Sequence, residues 1–386
     1  MQFNFDTIHN RQNTESVKWN IYDEDVLPMW VADMDFRSPD AVIQALRERV
    51  NHGIFGYPTE SKELKKAVIA WLDRRHGWEV SPQDIIFLPG VVTGFNLAAH
   101  TVSQAGDGVL IQTPTYGPFL RVAHNMGLIQ QEMELTRGPD GQYTIDMDAF
   151  ESTITERTSV FMLCNPQNPT GRVFRKDELE ALAEICLCND VLICSDEIHS
   201  DLVFSESKHI PIASLDAEIA TNTITLLAPS KSFNIAGLKA SVAIVQNKDL
   251  REKFEGERRG LVGWVNLLGR IAMQAAYAEG ESWLDALLKY LEFNRDYVFD
   301  FVQNELSGVS MAKPEGTYLA WLDCRGTEME EKPNQFFLQK ARVAMNAGEW
   351  FGRGGEGYVR FNFGCPRATI EIALNRMKDA LEIKRS

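Results

Sequence analysis

Six short apolar runs decide what this chain can fold into. They are IIFL (85–88), VLIQ (109–112), SVFML (159–163), VLICS (191–195), TITLL (223–227) and SVAIV (241–245). Runs of this length, rich in branched residues and without polar alternation, suit strands buried on both faces. Helix-patterned segments lie between most of them, at 92–104, 117–126 and 176–188. Such alternation predicts an α/β chain with a mostly parallel central sheet wrapped by helices, because each parallel step needs a crossover that packs on the sheet. Ligands of open α/β sheets bind beyond the carboxyl ends of the strands, so the residues just after each run carry the functional information.

The flanks are patterned differently. Residues 1–37 lack long periodic runs and contain PMWVADMDF, which predicts an arm laid across another part of the fold. Ser38-Pro39 starts a helix whose inner face is expected to hold Ala41, Leu46 and Val50, with Gly53 as its stop. A second helix is expected over 61–76, with Leu64, Ala67, Val68, Trp71 and Leu72 as its apolar stripe. The chain has 386 residues, more than one domain usually holds. A long helical stretch at 284–306 leads to the strands YLAWLD and YVRFNF and to helices near 333–345 and 367–384. The expected division is an arm (1–37) packing with the small domain, a large domain (38–283) and a smaller α/β C-terminal domain (284–386).

Composition narrows the partners. The formal net charge is −15, whereas a surface that tracks phosphates is basic, so neither nucleic acid nor an anionic membrane is expected. None of the six cysteines forms C-x-x-C, and several sit in apolar runs, so buried free thiols are expected rather than disulfides or a metal site. No apolar leader follows a basic start, and no run of about 18 apolar residues occurs. A cytoplasmic location fits these features.

Three strand ends carry polar residues. CNPQNPTG (164–171) follows the third run, SDEIH (195–199) the fourth and APSKSFNIAGLK (228–239) the fifth. Lys231, between two serines after a buried strand, can lose its proton on desolvation and act as a nucleophilic amine toward an aldehyde cofactor. Asp196 can hold a pyridinium nitrogen protonated. Asn168 can donate its amide to a phenolic oxygen, and His199 reaches the same edge. Gly90, Val91, Val92 and Thr93 open a helix after a strand, so their N–H groups suit an anion, with Ser230, Ser232 and Lys239 adding hydroxyls and a cation. Arg360 in YVRFNFGCPR can clamp a carboxylate with two hydrogen bonds. Taken singly, each has a plainer account. Lys231 suits a solvated loop, Asp196 a cap, Asn168 an Asn-Pro turn, His199 a core histidine and Arg360 a salt bridge. GRGGEG (352–357) reads as a turn.

The order of these signals resembles fold-type I pyridoxal-phosphate (PLP) enzymes of the aminotransferase class I/II superfamily, along essentially the whole chain. PMWVADMDF (28–36), FGYP (55–58), TPTYGPF (113–119) and APSKSFN (228–234) resemble the MalY/PatB group of C–S lyases, often described as cystathionine β-lyases. The resemblance implies that Lys231 forms the Schiff base, Asp196 partners the pyridinium, Asn168 bonds the phenolic oxygen, Tyr116 stacks on the ring and Arg360 clamps the substrate α-carboxylate. It puts Val91 and Val92 at the phosphate and Ala32 at the substrate. Tyr57 is implied to cross to the cofactor phosphate of a neighbouring subunit, hence a homodimer with shared active sites. His199 stands where many aminotransferases carry tyrosine and the lyase group histidine. Lys239 stands where many relatives use arginine.

The reaction so implied is α,β-elimination of cystathionine or a related cysteine S-conjugate to a thiol, pyruvate and ammonia, with Lys231 as the general base at Cα. An aminotransferase moving an amino group to a 2-keto acid is the alternative, since both share every step up to the carbanion. A PLP-binding regulator is disfavoured, because neither end carries a basic helix-turn-helix segment.

Overall fold

The computed structural model describes residues 3–59 and 61–383. Strands form at each apolar run and at one further segment: β1 (Ile85–Leu88), β2 (Gly108–Thr113), β3 (Ile129–Glu134), β4 (Thr158–Cys164), β5 (Leu192–Asp196), β6 (Thr223–Leu227) and β7 (Ser241–Ile244). They make one sheet in the order β1-β7-β6-β5-β4-β2-β3. The run from β6 to β3 is parallel, and β7 lies antiparallel to both β6 and β1. The expected mostly parallel sheet is therefore present. β3 escaped the sequence reading because it is the edge strand: IQQEME is mostly polar, with Met133 its one fully buried residue.

The order of the sheet builds the site. β4, β5 and β6 are neighbours, with Cys164 opposite Asp196 and Asp196 opposite Leu226. The three polar segments that follow these strands therefore emerge side by side. Helix α3 (Val91–Val102) lies against this edge; α1 (Asp40–His52) and α2 (Lys62–His76) precede it. The approach of α3 to β6 is close, since a Cβ on Gly94 would sit 2.7 Å from Leu226 Cδ2. Leu226 and Phe95 are fully buried, and each such side chain contributes about 1.5–3 kcal/mol. α4 (Lys176–Cys188) joins β4 to β5 as the crossover.

Beyond β7 come α5 (Leu267–Glu279) and the 25-residue α6 (Glu281–Glu305). A three-stranded antiparallel sheet of β8 (Leu319–Asp323), β9 (Asn346–Ala347) and β10 (Tyr358–Asn362) follows in the order β8-β10-β9, and α7 (Arg367–Ile383) ends the fold. The arm touches both parts. Leu27–Pro28 pairs parallel with Val343–Ala344, while Met34 N–H donates to Asn234 Oδ1 beside the Lys231 turn. No helix among the described residues is long and apolar enough to cross a membrane.

Several local expectations are corrected. On α1 only Val42 is fully buried and Val50 is exposed, so the inner face centres on Val42, Ala45 and Leu46. The Ser38 hydroxyl donates to Asn234 O instead of capping that helix. Ser61 does cap α2, accepting from Leu64 N–H. The helix expected over 117–126 is a short 3-10 turn followed by Val122–Met126. The one expected over 333–345 stops after Pro333–Phe336, widens into a turn in which Arg342 N–H reaches Phe337 O, and becomes the strand Val343–Ala344. Of the six free cysteines, Cys188 is exposed and the other five are buried.

Candidate active site

A cleft of about 410 Å³ opens at the carboxyl edge of β4, β5 and β6. Of the residues singled out in the sequence, Ala32, Val91, Val92, Tyr116, Asn168, Asp196, His199, Ser230, Lys231 and Lys239 line it. Arg360 stands one side chain behind the wall, donating to Asn168 Oδ1 at 2.9 Å. Tyr57 lies elsewhere, 95 % exposed, with its ring 6.3 Å from that of Trp264.

Lys231 sits on a one-turn helix, Pro229–Ser232, that starts immediately after β6 with proline in its first position. That start suits proline, which has no N–H to lose there. The side chain is half-buried, open to the cleft but otherwise enclosed by protein, and Nζ donates to Ala32 O at 2.6 Å. The same carbonyl accepts from Tyr318 OH at 2.9 Å. Burial, then the positive charge of Arg360, pushes the amine down to about 8.

Asp196 ends β5 with its carboxylate buried, and Oδ1 accepts the Ile198 N–H at 3.0 Å. It forms no salt bridge among the described residues, and burial pushes it up to about 7. His199 is buried too, and its Nδ1 has no hydrogen-bond partner among the described residues. Burial first, then the charges of Lys231 and Arg360, holds its pKa well below the ordinary value, so the ring is neutral. Burial and the nearby Asp196 raise the Tyr116 hydroxyl, and the Tyr116 ring packs against Phe119 and Trp350.

Arg360 is buried in β10, directly opposite Asn346 of β9. It donates to Asn168 Oδ1, to Trp30 O and to Asn346 Oδ1, while its Nε lacks a partner among the described residues. The clamp foreseen for a carboxylate is thus held by protein acceptors. With Asn168 Oδ1 accepting from Arg360, the N–H donors of that amide are left for the cleft.

Also in the wall of the cleft, α3 begins after Gly90 without a side-chain cap, leaving the N–H groups of its first turn for a ligand. Ser230 and the exposed Lys239 line the same cleft. Ser232 does not join them: its hydroxyl points the other way and donates to Asp201 Oδ2 at 2.9 Å. The sequence reading missed Asn346, Tyr318, Trp30 and Asp201, which hold the named residues from distant segments. Asn346 was traceable only through the β9–β10 register.

The cleft fits PLP on grounds internal to the structure. An uncapped helix start with a hydroxyl and an ammonium suits a phosphate. An unpaired buried carboxylate and a neutral histidine with an open ring nitrogen suit a pyridine ring that carries polar substituents. An amine lowered to about 8 suits an aldehyde.

The family model for aminotransferase class I and II matches residues 24–377. The cystathionine beta-lyase PatB of Bacillus subtilis (strain 168) is 43 % identical over 387 residues, covering 98 % of this chain and 100 % of that one. Cystalysin from Treponema denticola, which contains a pyridoxal 5'-phosphate cofactor, superposes with a TM-score of 0.96 at 35 % identity, covering 100 % of each chain. The PLP-bound C–S lyase from Staphylococcus hominis does so with a TM-score of 0.92 at 36 % identity, covering 98 % of this chain and 99 % of that one. With the sheet order, the three strand-end segments and the match along nearly its whole length in agreement, the chain belongs to the aminotransferase class I and II family.

Proposed function

We propose that this chain is a PLP-dependent carbon–sulfur β-lyase that cleaves cystathionine or a related cysteine S-conjugate to a thiol, pyruvate and ammonia. The observation that carries the proposal is Lys231 Nζ. It stands in a cleft with the buried Asp196 carboxylate, bound to a backbone carbonyl and, among the described residues, to no acid. The 43 % identity to a cystathionine beta-lyase supports elimination, as does histidine at position 199.

PLP, when bound, supplies an aldehyde for amines and a ring that takes up the electron pair released at Cα. Lys231 would be its covalent anchor. Val91 and Val92 N–H, the Ser230 hydroxyl and Lys239 would hold the phosphate, the Tyr116 ring would cover the cofactor, and Asn168 N–H would bond its ring oxygen. Asp196, with His199 beside it, would keep a proton on the ring nitrogen by charge pairing.

Arg360 binds the substrate carboxylate by exchanging protein acceptors for it, a trade that orients the Cα–H bond. Lys231 Nζ, set free when the substrate's own amine takes its place on the aldehyde, would then take the Cα proton. A pKa of about 8 leaves the amine able both to accept and to return that proton near neutrality. Ala32 O, which accepts from Nζ at 2.6 Å, fixes the side chain's direction.

On this reading the chain divides into an arm (1–37), a large domain (38–283) and a small domain (284–386). It works in the cytoplasm as a homodimer with shared sites. The exposed apolar residues Phe55, Tyr57, Leu261 and Trp264 support the dimer, because Tyr57 and Trp264 pack together on one face. The buried free thiols support a reducing compartment. The test is product analysis with cystathionine. Pyruvate and ammonia should form in step with homocysteine without any keto acid. Turnover that depends on an added 2-keto acid would make the chain an aminotransferase instead.

A further inference from the structure

We propose that Asp201 is a positioning residue that acts through Ser232 to fix the turn carrying Lys231. The proposal rests on the reading of Lys231 as the group that moves the Cα proton.

Asp201 is buried, and its carboxylate accepts from three side chains. Trp71 Nε1 lies 3.1 Å from Oδ1, His76 Nε2 lies 3.3 Å from it, and Ser232 Oγ lies 2.9 Å from Oδ2. Trp71 and His76 both belong to α2, so one carboxylate ties that helix to the residue following Lys231. Burial works to raise the Asp201 carboxyl, but the His76 hydrogen bond and charge, with Arg75 and Ser232, outweigh it and keep it below the usual carboxylate range. A buried charge is a costly way to hold two elements together when apolar packing would do. What it adds is direction, because each donor must meet a fixed oxygen.

The turn needs that direction. Pro229–Ser232 is too short to hold itself by its own hydrogen bonds; Phe233 N–H to Pro229 O and Ile235 N–H to Ser230 O close it, and Asn234, just beyond, bonds to Met34, Phe36 and Ser38. The Ser232 hydroxyl adds a side-chain anchor one residue from Lys231. The segment that begins at Asp196 is tied into the same frame. Glu197 accepts from Ser195 Oγ, Ile212 N–H and His209 Nε2, and the His209 ring lies 5.4 Å from that of His76. Side chains alternate along the end of β5, so Ser195 and Glu197 grip on one side while Asp196 faces the cleft on the other. Lys231 and Asp196 are thereby referred to one buried network.

The experiment compares Ser232→Ala, Asp201→Asn and the double variant as PLP-loaded full chains. Two quantities are read: exchange of the amino-acid Cα hydrogen in D₂O, and amide exchange of Phe233 and Ile235. Ser232→Ala should lower the maximal Cα exchange about ten- to a hundred-fold, as a slightly misplaced reacting group does, with KM within about two-fold of the parent. Phe233 and Ile235 amides should exchange faster. The double variant should be no slower than the worse single one, because the Ser232 anchor acts through Asp201. Wild-type rates and protection in Ser232→Ala would overturn the proposal, and so would losses that multiply in the double variant. If Asp201→Asn does not fold, Ser232→Ala decides alone. A parent enzyme that exchanges no Cα hydrogen would defeat the reading of Lys231 itself, while the amide exchange would still report on the anchor.

Discussion

Burial pushes Asp196 up to about 7 and Lys231 down to about 8, so the protonation of both groups that face the cleft changes near neutrality. For Asp196 the folded value lies above the unfolded one. The native state therefore holds a proton that the unfolded chain has released, and the stability this gives is lost as pH rises from about 4 through about 7. Stripped of cofactor, Asp196→Asn should be more stable than the parent at pH 8 by on the order of 1 kcal/mol or more, with a smaller gain at pH 5, read by urea unfolding. An equal gain at both pH values would mean that the carboxylate is not desolvated. In the loaded enzyme, Asp196→Ala should retain PLP yet slow turnover by several orders of magnitude, each ten-fold being about 1.4 kcal/mol of barrier. Near-normal turnover would reduce the residue to a structural role. Lys231, Asp196 and Asn168 were legible because each lies within five residues of the end of an apolar run, and because the order of the three segments resembles that of a known family. Asp201 was not, since its meaning lies in partners 31, 125 and 130 residues away.

Secondary structure follows the sequence wherever burial on both faces writes a continuous apolar signal, as in β1, β2, β5, β6 and β7, whose residues are all buried. It departs where an element is half-exposed or short. β3 is a polar edge strand, and residues 333–345 mix an apolar helical pattern with a turn and a strand that pairs with the arm. α3 shows how closely one element beside the cleft is seated, because it packs on β6 through Gly94. Gly94→Val would press a branched side chain against Leu226 and Leu88, where even a Cβ would come within 2.7 Å and 3.2 Å. Overpacking of this kind should cost about 1–3 kcal/mol, read as a lower urea midpoint with an unchanged slope. PLP affinity should fall with it. Unchanged stability and affinity would show that the α3–β6 contact is loose.

At the scale of the whole molecule, the arm, the sheet edge and β10 meet at one place: Ala32 accepts from Lys231, and Trp30 from Arg360. The resemblance had put Ala32, Lys231 and Arg360 at one site, but the bonds that join them to the arm were not legible along the chain, because they depend on how the arm crosses between segments some 200 to 330 residues apart. Tyr57 belongs to a further level, since it lines a separate hollow with Arg258, Arg259 and Trp264. If its hydroxyl completes a neighbour's site, Tyr57→Phe removes one hydrogen bond to a charged group, about 1.5–3 kcal/mol. PLP affinity should then fall about ten- to a hundred-fold. Mixing Tyr57→Phe with Lys231→Ala subunits tests the sharing, because one site of a mixed dimer then carries both defects and the other neither. Activity above that of either parent supports it; no recovery in mixed dimers verified by mass would place Tyr57 outside any neighbour's site. The most direct test of the central claim is chemical. The loaded enzyme is reduced with borohydride and digested, and the peptide that carries the cofactor is sequenced. The label should lie on Lys231, and Lys231→Ala should take up none. A label on Lys239 or on any other lysine would contradict the assignment of Lys231 as the anchor and as the base at Cα.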